Sequence, residues 1–220
     1  MPRRTVQSKK YIYVFCEGES EEEYAGYLKD EFSNAVVIKP QKGLFAEAEA
    51  YFRKDRNFKN NIDITDEVWF FFDVELSDRD KWDSWMKSVR FLANMAKTKR
   101  KIKIRFLMTT GCVEYWFLLH YEKQRPLIQT TAEKDRVEQQ VRTHEPSYQK
   151  GDRESIRKIA NYYKTAVSNG EWVISQLNNV DNIVLLSAED ERNKQLFQCG
   201  KTFTTVHEAI FFLSTLPKLV

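Results

Sequence analysis

The chain has 220 residues, 42% hydrophobic and 14% aromatic, with a formal net charge of +3 and a pI near 8.6. That length and composition exclude a disordered polypeptide and suit one α/β domain with an appended helical part. The mild positive charge permits a nucleic-acid partner without requiring one, because binding depends on where the charge clusters. Cys16, Cys112 and Cys199 are far apart and form no paired motif, which argues against a disulfide framework or zinc knuckle and for a reducing compartment. The basic start MPRRTVQSKK leads into no signal-peptide core, and no apolar run reaches membrane-spanning length. A cytoplasmic protein without a membrane partner is expected.

Residues 1–10 read as a basic tail, and 11–220 as a single domain. Tyr11 to Cys16 is an apolar run rich in aromatic and β-branched residues, the pattern of a buried strand. Glu17 and Gly18 break it. Ser20 is then a candidate helix N-cap, with Glu23 completing a capping box, and a helix is predicted over 20–32. A second strand is predicted over 35–39, closed by Pro40 and Gly43, and a helix over 44–58. Glu67 to Phe72 is the most hydrophobic segment and reads as a central strand buried on both faces. It ends in Asp73-Val74-Glu75, followed by Asp78 and Asp80. A Trp-rich helix over 80–96, for which Asp78 is a candidate cap, precedes a basic block and a strand over 102–109.

Val113 to Tyr121 fits strand or helix by periodicity, and a buried helix is preferred because the preceding strand needs a crossover element. From about 124 to 170 the chain turns polar, with helices predicted at 132–142 and 152–168, and reads as an insert capping the sheet edge. Ile183 to Leu186 reads as another strand, 195–200 is ambiguous, and Thr205 is expected to cap a last helix ending near Leu216. Alternating strands and helices imply a mostly parallel, doubly wound sheet flanked by helices, with the helical insert in the second half.

Two buried strands thus end in carboxylates: Glu17 after the first, Asp73 and Glu75 after the third. In a parallel sheet these converge at the carboxyl edge, where open α/β sheets bind ligands. Alternation puts Asp73 and Glu75 on one side. Oxygen-only ligands suit Mg²⁺ or Mn²⁺, and such a site promotes phosphoryl transfer. The competing reading is that acids at strand ends are turn formers and caps. Glu19 divides between a ligand role and a solvated first turn, whereas Glu21 and Glu22 read as surface residues favoured by the helix dipole. Glu114 lies inside an apolar block and needs a partner, whether a cation, a metal or a backbone cap.

His120 on an apolar face reads as a satisfied core histidine, and His144 and His207 show no partner pattern. The run containing Lys99, Arg100 and Lys101 is either a solvated turn or a phosphate-binding patch. Arg153 and Arg157, on a predicted helix with Tyr162 and Tyr163, form a second candidate nucleic-acid surface. Helix packing is the competing use of those tyrosines, and core packing the expected one for Trp82 and Trp85.

Three blocks carry a resemblance. They are Val14 to Glu22 (VFCEGESEE), Phe72-Asp73-Val74-Glu75, and Val113 to Tyr121 (VEYWFLLHY). In that order they resemble the RloB-like family, a branch of the Toprim-fold proteins, and the segment Thr205–Leu216 resembles its C-terminal helix. The resemblance implies a Toprim-like α/β fold and a metal-dependent nuclease of RNA or DNA, with Mg²⁺ or Mn²⁺ as cofactor. It also implies an effector role in antiphage defence, often encoded beside an ABC-type ATPase, with self-association left open. Carried over, Glu17 is the Toprim glutamate, acting as general base or metal organiser. Asp73 and Glu75 are the metal-binding pair, and Glu114 joins them as a catalytic candidate.

Two positions depart from the family pattern. Glu75 stands where Asp is usual, and Gly111-Cys112-Val113 stands where Asn-Pro and an aromatic are more frequent. A non-catalytic interaction module partnering an ABC-type ATPase is therefore the alternative. A phosphatase ranks last, for want of the usual Asp nucleophile motif.

Overall fold

A computed structural model describes residues 9–54, 64–95 and 101–218, with the side chain of residue 54 left aside. Four strands form one all-parallel sheet: β1 (Lys10–Cys16), β2 (Val36–Lys42), β3 (Glu67–Val74) and β4 (Lys103–Thr110), in the order β2-β1-β3-β4. The crossovers are α1 (Glu19–Glu31), α2 (Phe45–Lys54) and α3 (Trp82–Ala93), the last entered through a 3₁₀ turn at Leu76–Lys81. This is the expected parallel α/β architecture, compatible with a Toprim-like fold.

The pleat of β3 divides the core. Phe70 and Phe72 face α2 and α3, packing on Phe45, Trp85 and Phe106. Trp69 and Phe71 face the other way, towards Phe212 and Tyr24. β3 reads as unbroken hydrophobic sequence because helices cover both of its faces. Asp73 continues the Trp69-Phe71 side, so strand periodicity alone points it towards α1.

After β4 come α4 (Val113–Leu118), α5 (Thr131–His144), α6 (Arg153–Ala160), α7 (Tyr163–Asn179), α8 (Glu189–Gln198) and α9 (Val206–Thr215). All six residues of α4 are buried, so the helix reading holds, but α4 is not a crossover, because β4 is the last strand of the sheet among the described residues. In the turn just after it, His120 is a satisfied core residue. Its Nδ1 lies 2.9 Å from the Trp116 carbonyl and its Nε2 3.0 Å from the Tyr24 hydroxyl. Burial pushes its pKa down to about 3, so the ring is neutral.

Several expectations are corrected. Ser20 does not cap α1, which starts one residue earlier with Gly18 at the N-cap; its hydroxyl instead accepts from Gly151 N–H at 3.0 Å. β2 runs through Pro40, which an edge strand tolerates because only one of its sides must pair. α3 is shorter than predicted, α2 starts one residue later than predicted, and the ends of both predicted helices (55–58 and 96) lie outside the described residues. Asp78 does not cap α3 but pairs with Lys81 at 2.6 Å inside the 3₁₀ turn. The helix predicted over 152–168 is two helices, broken at Asn161-Tyr162, the first capped by Asp152.

Residues 183–186 form no strand. The Gln195 side chain occupies the backbone groups of Leu186 (N–H) and Val184 (C=O), each at 3.0 Å, and Val184 is 73% exposed. Thr205 does not cap α9 by its side chain. Its hydroxyl clips the outer edge of β4, accepting from Met108 N–H at 2.9 Å and donating to the Phe106 carbonyl at 2.8 Å.

Candidate active site

The carboxyl ends of β1 and β3 are neighbours, with Cys16 in register with Phe71. Glu17 N–H donates to the Phe71 carbonyl at 3.0 Å, and Asp73 N–H donates to Glu17 Oε2 at 2.9 Å. The Glu17 carboxylate therefore stands in for the next rung of the ladder, which fixes it against Asp73. Asp73 is half-buried, yet its Oδ1 is shut off from solvent and has no hydrogen-bond partner among the described residues. An enclosed carboxylate oxygen without a donor is costly. Burial first, then Glu21, Glu17 and Glu114, hold the Asp73 pKa well above the ordinary carboxylate value.

These groups line a cleft of about 470 Å³ over the sheet's carboxyl edge. Asp73 comes from β3, Glu75 from just beyond it, Glu17 from the first strand-helix turn, Glu21 from the first turn of α1, and Glu114 from the first turn of α4. Gly111, with φ +79°, makes the turn from β4 into α4. The insert closes the far side with Thr131, Lys134, Asp135 and Glu138 of α5 and with Lys150 and Gly151 of the following loop. It thus caps the sheet edge as expected.

Glu114 is 2% exposed; it accepts from the Tyr148 hydroxyl at 2.8 Å and has Lys150 Nζ at 3.5 Å. Its required partners therefore come from the insert. Glu75 is exposed and pairs with Lys134 at 2.5 Å. Partial burial raises the Glu17 pKa; the Asp73 N–H opposes that rise, and Asp78 and Glu75 add to it.

Glu21 overturns the sequence reading. It is 4% exposed rather than solvated, and burial, with help from Glu17 and Glu114, pushes its pKa up to about 7. Its position was legible in principle. In a helix beginning at Glu19, Glu21 falls on the inner side with Tyr24 and Leu28, one turn and two turns later. The acidic run of neighbours hid that phase.

None of the basic candidates among the described residues lines the cleft. Lys99 and Arg100 lie outside the described residues. Lys101 is exposed just before Lys103, which starts β4 at the opposite end of the sheet. Arg153 is exposed on α6, and Arg157 is engaged by Asp30 of α1. Tyr163 packs on Phe32 and Tyr27, whereas Tyr162 rests against Tyr121 and stays 54% exposed.

As a test of fit for a hard cation, the donor set is oxygen-only and includes an enclosed, unpartnered oxygen on Asp73. Among the described residues, no three His, Cys, Asp or Glu side chains are already drawn together at metal-holding distances. Two of the acids are held by lysines instead. The chemistry fits a divalent cation, and side-chain adjustment must accompany its binding.

The chain matches no curated protein and no solved structure. Among the described residues no helix is long and apolar enough to cross a membrane. The model of the RloB-like protein family matches residues 12–213, nearly the whole chain, and the chain therefore belongs to that family.

Proposed function

We propose that the protein is a Mg²⁺- or Mn²⁺-dependent phosphodiesterase of Toprim type that hydrolyses RNA or DNA. The observation that carries this reading is the enclosed, unpartnered Asp73 Oδ1, surrounded by Glu17, Glu21 and Glu114 at the carboxyl edge of a parallel sheet. Four carboxyl groups crowded in one cleft are costly to ionise together, and a bound divalent cation removes that cost. Asp73, Glu75 and Glu17 would hold the cation, which supplies Lewis-acid polarisation of a phosphate oxygen and a lowered pKa for bound water. Glu17 is anchored by Asp73 N–H through one oxygen, Oε2, and acts as organiser or general base from the other. Family membership supports an effector role in antiphage defence with an ABC-type ATPase as partner, and self-association belongs to the same proposal.

The test is cleavage of RNA and DNA panels by purified protein with Mg²⁺ or Mn²⁺, beside Glu17→Gln and Asp73→Asn variants. Both substitutions are expected to lower the rate by at least about 10²-fold. Full activity in either variant refutes the assignment. A second reading, a non-catalytic module, draws on Glu75 being paired with Lys134 and on the lack, among the described residues, of three His, Cys, Asp or Glu side chains at metal-holding distances. Mn²⁺ uptake without cleavage of any nucleic acid would favour it.

A further inference from the structure

The cleft brings two cations of its own, both from the insert. Lys134 projects from α5 to Glu75 Oε1 at 2.5 Å. Lys150 reaches Glu114 Oε1 at 3.5 Å and Glu138 Oε2 at 3.1 Å. The loop that carries Lys150 is fixed at two points. Tyr148 donates its hydroxyl to Glu114, and Gly151 donates its N–H to Ser20. The Lys150 side chain itself is 62% exposed, a flexible arm on a fixed mount.

Every other charged group lining the cleft is acidic: Glu17, Glu19, Glu21, Asp73, Asp135 and Glu138. Such a surface repels a phosphodiester unless cations cover the acids. The lysines engage Oε1 of Glu75 and of Glu114 and oppose, by charge and by occupancy, the approach of a divalent ion to those carboxylates. A displaced ammonium stays tethered at the rim, beside the place where a phosphate would come to rest.

We propose that Lys134 and Lys150 are exchangeable counter-ions, which neutralise Glu75 and Glu114 until a divalent cation binds and then turn to the phosphates of the nucleic acid. The insert is on this view the substrate-binding half of the site. This rests on the phosphodiesterase reading and adds to it a role for two residues that the acidic motifs do not include. It also accounts for the acids not being gathered beforehand into a metal cluster.

The experiment is a Mn²⁺ titration followed by electron paramagnetic resonance of free Mn²⁺. It compares wild type with Lys134→Met, Lys150→Met and the exposed control Lys87→Met. Removing a competing charge is expected to tighten Mn²⁺ binding by about three- to tenfold in each cleft variant and not in the control. In Ca²⁺, fluorescent RNA and DNA oligonucleotides of one sequence are expected to bind the cleft variants more weakly. The slope of log K on log salt should fall by roughly 0.7–0.9 per lysine removed.

Unchanged or weakened Mn²⁺ affinity, or an unchanged salt slope, overturns the exchange. If wild type takes up Mn²⁺ and the cleft variants match it, the exchange alone fails. If wild type takes up none, the metal-dependent function fails and the exchange with it. Thermal melts followed by circular dichroism confirm folding, with Lys150→Gln and Lys134→Gln as second variants.

Discussion

Glu21 gives the sharpest test of the electrostatics. Its carboxyl is buried beside Glu17 and Glu114, and its pKa rises from 4.5 to about 7. A carboxyl whose folded pKa lies above its unfolded value binds more protons in the folded state between those two values. Its stabilising contribution is fully present below about pH 4.5 and is lost as pH rises through about 7. At 1.36 kcal/mol per pKa unit the full shift corresponds to about 3 kcal/mol; sharing of the effect with the neighbouring acids brings the expectation to about 2 kcal/mol.

The perturbation is Glu21→Gln, which keeps shape and removes the charge. The assay is urea unfolding with a chelator present, at pH 5 and pH 8. Wild type should be less stable at pH 8 than at pH 5. The variant should lose about 2 kcal/mol less over that interval, with a residual decline left by Asp73, whose pKa is also raised. Equal pH dependence in the two proteins would refute the burial and crowding assigned to Glu21. A wild type that gains stability with pH would refute the description of the whole acidic cluster.

Thr205→Val removes the hydroxyl that clips β4 and leaves Met108 N–H without its acceptor, so a loss of about 2–4 kcal/mol is expected. Thr205→Ser should keep most of the stability in a thermal melt. Gly111→Ala introduces a Cβ at φ +79°, only 2.3 Å from Ile128 Cγ2, and should cost about 2–4 kcal/mol. Adding Ile128→Ala in the same chain should relieve the clash and not the backbone strain. Full recovery in denaturant titrations would contradict the left-handed conformation.

Much of the fold was legible because β1, β3 and β4 are apolar runs bounded by charged or polar residues, and because α3 repeats its hydrophobic positions with helical spacing. Glu17 and Asp73 were legible for the same reason: strand ends in a parallel sheet share an edge, whichever helices connect them. Local patterns failed where a side chain found a better distant partner. Ser20 and Thr205 have the chemistry of caps, but a loop N–H and a strand edge claimed their hydroxyls. Ile183 to Leu186 has the composition of a strand, but among the described residues no strand pairs with it and a glutamine amide holds its backbone.

The sequence by itself determined the sheet, the buried α4 and the acids at the strand ends, because these follow from hydrophobic period and from the sense of the strands. Only the tertiary structure decided that Glu21 belongs among those acids and that the insert supplies Tyr148, Lys134 and Lys150 to them. It likewise decided that Lys101 sits at the opposite end of the sheet and that Arg157 pairs with Asp30 rather than lining the cleft. Those outcomes depend on which surfaces meet across long separations in the chain. Burial and charge pairing set them, and both act through space rather than along the sequence.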